Sequence, residues 1–344
     1  RECLTSTVYL LGRSADADNM HHSAADWTNL ELVYRVLRLN PEDVTMVFWD
    51  RQFDYWHRAL LNNSYTTRPI LRIEDLRRQC GDRATFRHVV WHLEDVFSVV
   101  SVASKVPYVR GKQQNCQPSG IVHGYTRRVL RAFNLLNEPP PSVPHILFSV
   151  RVRGLSPTGH KNVGRVIGNQ NELENVLREG NLLSWETVNL ATLTYHQQLV
   201  SMRRTNILIG VHGAGLQWVW FLADEAVLVE IHPSYRADRH FRTAARLAGK
   251  VYIPMRSIDD KISCVGSSDT LEPQVAVFRE TVDAAVRVAR QFNDGTVECG
   301  LVCDPLILGL DHFHDADYAR TNTKPAQHRD PPSFPCHANV KKLI

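Results

Sequence analysis

His212, two glycines and Glu230 make the most chemically suggestive spacing in the chain. The run from Ile207 to Pro233, "ILIGVHGAGLQWVWFLADEAVLVEIHP", reads as an apolar strand, a His-Gly-Ala-Gly turn, an amphipathic segment and a second apolar strand ending in a carboxylate. Gly213, Ala214 and Gly215 carry little side-chain bulk, so backbone N–H groups there can approach a ligand closely. A helix starting near Leu216 would aim its unpaired N–H groups at the same point, which favours an anion. His212 adds a hydrogen-bond donor or a positive charge. The group suits a diphosphate, with Glu230 placed to accept from both hydroxyls of a ribose. A tight β-α connection with His212 as a packing residue remains open on these residues alone.

Other chemistry-bearing patterns are weaker. Asp16/Asp18 and Asp315/Asp317 are Asp-x-Asp pairs of the kind that hold divalent cations, but a chain with 21 aspartates produces such pairs by chance. No obligatory metal or other cofactor is therefore expected. Cys299, Cys303, His312 and His314 are poorly spaced for structural zinc, and the two cysteines are expected in disulfides to the body instead. Asn169 and Glu172 have the spacing of a capping box. Trp218 and Trp220 are expected in the core.

The elements that must position these groups alternate between strand and helix. In the first third, "TSTVYLL" and "VTMVFWD" read as strands, and Asn29 to Leu39 has helical periodicity. "FDYWHRALLNN" and "GIVHGYTRRVLRAFNLL" also read as helices. "NEPPPSVP", residues 137–144, contains four prolines and admits neither helix nor central strand. Beyond it the rhythm restarts with "HILFSVRVR", "GNQNELENVLREG", "TLTYHQQLVSMRRT", "NILIGV", "LQWVWFLA", "AVLVEI", "RHFRTAARLAG" and "KVYIPM". Such β-α alternation implies parallel sheets wrapped by helices. The predicted organisation is an α/β domain over 1–136, a linker over 137–144, a second α/β domain over 145–293, and a tail over 294–344 packed on the body and disordered at its end.

Composition narrows the function classes. The 344 residues hold 40 basic and 36 acidic side chains, a net charge of +4 that argues against a nucleic-acid partner. Seven scattered cysteines (3, 80, 116, 264, 299, 303 and 336) fit three disulfides and one free thiol, as in a secretory-pathway enzyme. No window is apolar enough for a membrane span. Because the first residue is Arg1, a signal or membrane anchor is expected to have been trimmed away.

Three blocks in order resemble glycosyltransferase family 61: "NMHHSAADWTNLELVYRVLRL" with "VTMVFWD", "HILFSVR" with "GRVIGNQNEL", and "IGVHGAGLQWVWFLADEAVLVEI". They cover roughly residues 15 to 255. The resemblance implies a GT-B-like architecture, two Rossmann-like α/β domains facing across a cleft. It also implies inverting transfer from a UDP-sugar to a glycan or glycoprotein acceptor in the Golgi or ER lumen. "DW" at Asp26-Trp27 and "RHF" at 239–241 resemble the family's β1,2-xylosyltransferases of the N-glycan core, the favoured expectation. "GNQNEL" resembles its O-GlcNAc transferases, the alternative. A glycan-binding module without chemistry is the competing class.

The resemblance also assigns roles. Asp26 matches the family's acidic position and is the expected catalytic base, with His22 one turn earlier on the same helical face; His21 and His22 are alternative bases. Capping of a helix running from Trp27 is the structural reading of Asp26. Arg151, Arg165 and Arg239 are expected to join His212, Gly213, Ala214, Gly215 and Glu230 in binding UDP.

Overall fold

In the computed structural model, strand pairing is parallel in both main sheets. The structure describes residues 2–13, 19–50, 57–81, 85–93, 98–99, 118–139, 141, 143–155, 162–180, 184–233, 240–256 and 270–293. Arg239, both Asp-x-Asp pairs, the five cysteines from Cys116 onward and the tail 294–344 lie outside the described residues.

The first sheet contains β1 (Thr7–Leu11), β2 (Val44–Phe48), β3 (Leu71–Arg72) and β4 (Val89–Trp91), in the spatial order β3-β2-β1-β4. Successive residues alternate between its faces. Tyr9, Leu11, Val44, Met46 and Phe48 join one hydrophobic cluster, whereas Val8 and Val47 join another. The helices of this half are α1 (Met20–Val36), α2 (His57–Ser64), α3 (Ile73–Cys80) and α4 (Gly120–Ala132). A disulfide joins Cys3 to Cys80 and so ties the first residues to the end of α3.

The second sheet contains β5 (His145–Ser149), β6 (Ser184–Val188), β7 (Ile207–Val211), β8 (Val227–His232) and β9 (Val251–Arg256), in the order β6-β5-β7-β8-β9. Every residue of β7 and β8 is buried, which explains their unbroken apolar runs. Around this sheet lie α5 (Gln170–Glu179), α6 (Tyr195–Arg203), α7 (His240–Leu247) and α8 (Val275–Asn293). Chain order reverses between β5 and β7, and ligands of open α/β sheets gather at the carboxyl ends of strands at such a point.

Several local expectations are corrected. The first long helix begins at Met20, not Asn29, because the Asn19 side chain accepts from the His21 backbone N–H and caps it there. Asp26 therefore lies inside α1 and caps nothing. Asn169 makes no side-chain cap; its Nδ2 instead donates to Glu172 Oε2 and to the Pro273 carbonyl. A capping box does occur at Thr194 and Gln197. The segment after the His-Gly-Ala-Gly turn is a 3-10 helix, Ala214–Phe221, rather than an α-helix from Leu216. It is buried from Leu216 to Phe221 rather than amphipathic. Trp218 and Trp220 are core residues, and Trp220 Nε1 donates to the Ala244 carbonyl.

That helix joins the two halves. It packs against α1 and α4 on one side and α6 and α7 on the other. One hydrophobic cluster accordingly runs from Tyr9 and Trp27 through Leu147 and Trp218 to Phe241.

Candidate active site

Strand β7 delivers His212 to the carboxyl edge of the second sheet, and the His212 backbone N–H donates to Ile231 O at 2.9 Å. The imidazole is 2% exposed. Its Nδ1 lies 2.5 Å from Glu230 Oε1. Glu230 is fully buried, and its other oxygen accepts from the Tyr252 hydroxyl at 2.7 Å. His232 Nε2 donates in turn to that hydroxyl at 2.7 Å, and its ring stacks on His212 with centroids 5.6 Å apart. Burial alone would raise the Glu230 pKa, but His232 and His212 overcome it and pull the group down to about 2. An ionised carboxylate only accepts, so His212 carries its proton on Nδ1 and presents Nε2 away from Glu230.

Glu230 has no exposure, and both of its oxygens are engaged by protein groups. Its partners His212 and His232 complete a group whose ligand atoms all lie within 4.8 Å of one another, a spacing able to hold a metal ion. Here Glu230 is engaged by His212 and Tyr252 and His232 Nε2 by Tyr252, while His232 Nδ1 is buried with no hydrogen-bond partner among the described residues.

Gly213 follows with φ at +156°, and a Cβ there would stand 1.7 Å from Arg151 Nη2. The glycine is what lets the guanidinium lie against the turn. Arg151 comes from the end of β5, so the two loops at the strand-order reversal carry the arginine and the turn it covers. Arg151 Nη1 donates to Gly164 O at 3.3 Å. Burial lowers its pKa to about 10, with the positive charge of Arg165 adding to the effect. Arg165 holds a left-handed φ of +57°, a conformation that costs about 1–3 kcal/mol in a non-glycine residue. Arg151 thus lies against the glycine turn with Arg165 close enough to act on its charge, and no side chain caps the helix beginning at Ala214. Positive charge beside uncapped backbone N–H groups is what an anion would require.

The first half approaches the same place through the start of α1. His21 Nδ1 lies 2.8 Å from Gln217 Oε1, a contact between the two halves. The His21 ring sits 4.9 Å from that of His240 and 5.7 Å from that of His22. Phe241 lies edge-on to both His21 and His212, at 5.6 and 5.2 Å. Burial drives the His21 pKa down to about 4, with the charges of His240, His22 and His212 assisting against the Gln217 hydrogen bond. His22 is half-buried one turn above Asp26.

Asp26 itself has no exposure. Its Oδ1 faces His92 Nε2 at 3.8 Å, and His92 Nδ1 lies 3.1 Å from the Tyr9 hydroxyl. Burial and the charge of Asp26 keep that phenol protonated. Asp26 is thus enclosed beside His92.

The structure thus brings together His212, Gly213, Ala214, Gly215, Arg151 and Arg165, with Glu230 behind them and His21 and His22 opposite. Gln217, His240, Phe241, His92, Tyr252 and His232 complete the surroundings. Of these, His240 carried a signal in the "RHF" run; the others sit in apolar strings that gave no hint of chemistry.

An α/β architecture with parallel sheets and a His-Gly-Ala-Gly turn at a strand-order reversal is the general class these features define. The family model "Glycosyltransferase 61" matches residues 17–229, and the chain belongs to glycosyltransferase family 61. It is 28% identical over 240 residues to the EGF domain-specific O-linked N-acetylglucosamine transferase of Canis lupus familiaris, covering 69% of this chain and 43% of that one. To the protein of the same name from Pan troglodytes it is 29% identical over 245 residues, and to that from Drosophila melanogaster 26% identical over 239. The chain spans less than half the length of these curated relatives. A solved structure of RosB with a bound intermediate aligns over 59% of this chain at 11% identity, with a TM-score of 0.27 too low to bear on function.

Proposed function

We propose that the chain transfers a sugar, with inversion, from a UDP-sugar to a hydroxyl of a glycoprotein or glycan. The observation that carries this reading is the pair of arginines, Arg151 and Arg165, drawn over the His212–Gly215 turn. Inverting transfer needs positive and hydrogen-bonding groups on the departing diphosphate and a base on the opposite face of the sugar. His212, oriented by Glu230, donates or shares a proton at the diphosphate. His22 is the proposed base. Asp26, one turn along α1, acts behind it by stabilising the imidazolium that forms, as the buried carboxylate does in serine-hydrolase triads. No step requires a metal.

The two α/β halves, 1–136 and 145–293, are proposed as the lobes of a GT-B-like transferase joined through 137–144. N-acetylglucosamine on a protein hydroxyl is the preferred donor and acceptor, because the reported relatives are named for that transfer. Xylose on an N-glycan is the second reading, favoured by "DW" at 26–27 and "RHF" at 239–241. The Cys3–Cys80 disulfide supports an oxidising lumen, Golgi or ER, as the compartment. Among the described residues no helix is long and apolar enough to cross a membrane.

Thermal stabilisation and UDP release, measured across UDP-GlcNAc, UDP-xylose and other UDP-sugars with EGF-domain and N-glycan acceptors, test the proposal. Transfer from UDP-GlcNAc to the EGF domain is expected. Absence of binding by every nucleotide sugar would refute the enzyme reading.

A further inference from the structure

A second cavity lies away from the His212 turn and shares none of its residues. It has a volume of about 100 Å³, and its lining includes His123, Arg127, Arg203, Asp224 and Lys250. That is space for roughly three waters, at about 30 Å³ each, or for one small tetrahedral ion. Its walls come from both halves of the fold: α4 supplies His123 and Arg127, one helical turn apart, the end of α6 supplies Arg203, the turn between the 3-10 helix and β8 supplies Asp224, and Lys250 stands just before β9. A backbone hydrogen bond from Ser119 N to Leu247 O, 2.7 Å long, ties those walls together.

Two cations form the floor. Lys250 is 6% exposed and Arg203 is 7% exposed. Lys250 Nζ donates to Ala223 O at 2.6 Å, and Arg203 Nη1 donates to Leu222 O at 3.0 Å. Both are uncharged acceptors. Arg203 Nε is buried with no hydrogen-bond partner. Among the described lining residues the only carboxylate is Asp224, whose oxygen lies 3.5 Å from Nζ while its side chain is 93% exposed. Burial lowers the Lys250 pKa to about 8, with the positive charge of Arg203 assisting against the exposed Asp224 and Glu225. Two buried cations faced by exposed carboxylates are incompletely paired in a place where buried charge must be paired. His123 and Arg127 add donors at the exposed rim.

We propose that this cavity binds a tetrahedral oxyanion of the phosphate or sulfate type, held by Lys250 and Arg203 below and Arg127 above. Such an anion pairs the buried charges, reaches Arg203 Nε and bridges α4 to the second half of the chain.

The experiment is thermal unfolding and calorimetric titration of the full chain with inorganic phosphate, inorganic sulfate and UDP. Phosphate or sulfate should raise Tm saturably, by several degrees. Arg127→Glu, a rim change that leaves the core intact, should weaken that response about tenfold or more. Lys250→Met should abolish it while keeping the volume of the side chain. UDP stabilisation should survive both substitutions and be lost in Arg151→Ala. A missing oxyanion response, or an Arg127→Glu response equal to that of the unmodified chain, would overturn the proposal. So would loss of the phosphate response in Arg151→Ala alone, which would place phosphate at the diphosphate turn. Failure of UDP to bind any variant would damage the transferase reading and leave the oxyanion result standing.

Discussion

His212 Nδ1 and Glu230 Oε1 are joined at 2.5 Å inside the protein, so the histidine at the glycine turn is oriented by a carboxylate with no solvent exposure. The pair makes the turn and the core one electrostatic unit.

Acid stability should register this pair. The Glu230 pKa falls from 4.5 in the unfolded chain to about 2 in the folded one. A depressed carboxylate stabilises the fold fully above the unfolded value, and the contribution disappears as pH falls from 4.5 towards 2. The shift corresponds to about 3 kcal/mol, an order-of-magnitude figure. Denaturant unfolding measured across that window should show the loss, and Glu230→Gln should flatten it. An unchanged acid limb in Glu230→Gln would count against the pairing.

Gly213→Ala should separate binding from folding. The added Cβ meets the free end of the Arg151 side chain, which swings away at little cost, although φ at +156° adds strain of about 1–2 kcal/mol. The expected outcome is a modest drop in Tm with UDP affinity reduced about tenfold or more, read by calorimetry. Full UDP affinity in the variant would show that the guanidinium position does not matter.

His22 and Asp26 should differ in kind. His22→Ala is expected to lower kcat about 10²–10⁴-fold with little change in UDP binding. Asp26→Asn should lower kcat less, with UDP affinity retained, because the imidazolium loses its stabilising charge. An Asp26→Asn enzyme with an unchanged kcat would reduce that residue to a packing role.

Chelation addresses the metal. Overnight dialysis against EDTA should leave the transfer rate unchanged, since Glu230 is already engaged by His212 and Tyr252. A rate lost on dialysis and restored by a divalent cation would contradict this.

The disulfide gives a stability prediction independent of activity. Cys3 and Cys80 are 77 residues apart, and cross-linking a loop of that length is worth about 4 kcal/mol by chain-entropy estimates. Cys3→Ser should lower stability by an amount of that order in denaturant titration.

Much of the fold was readable because burial on both faces of a parallel sheet leaves unbroken apolar runs, as in "ILIGV" and "AVLVEI". The turn was readable because His, Gly, Ala and Gly between such runs have few purely structural uses. Two kinds of feature were hidden. The start of α1 was missed because "NMHHSAAD" lacks helical apolar spacing; it is helical through its Asn19 cap and its contact with the 3-10 helix. The partner of His212 was hidden because a strand-end carboxylate looks the same in sequence whether it faces a ligand or a buried imidazole. Only the register, which sets Gly210 opposite Glu230 with β9 on its other side, brings Tyr252 and His232 against it.

The Ala214–Phe221 helix has a practical corollary. Its tryptophans are wedged among side chains from both ends of the polypeptide. A fragment severed at the proline-rich connector would present a raw greasy surface to water, so neither piece should remain dispersed when produced alone, whereas the two made together in one cell should find each other and reassemble.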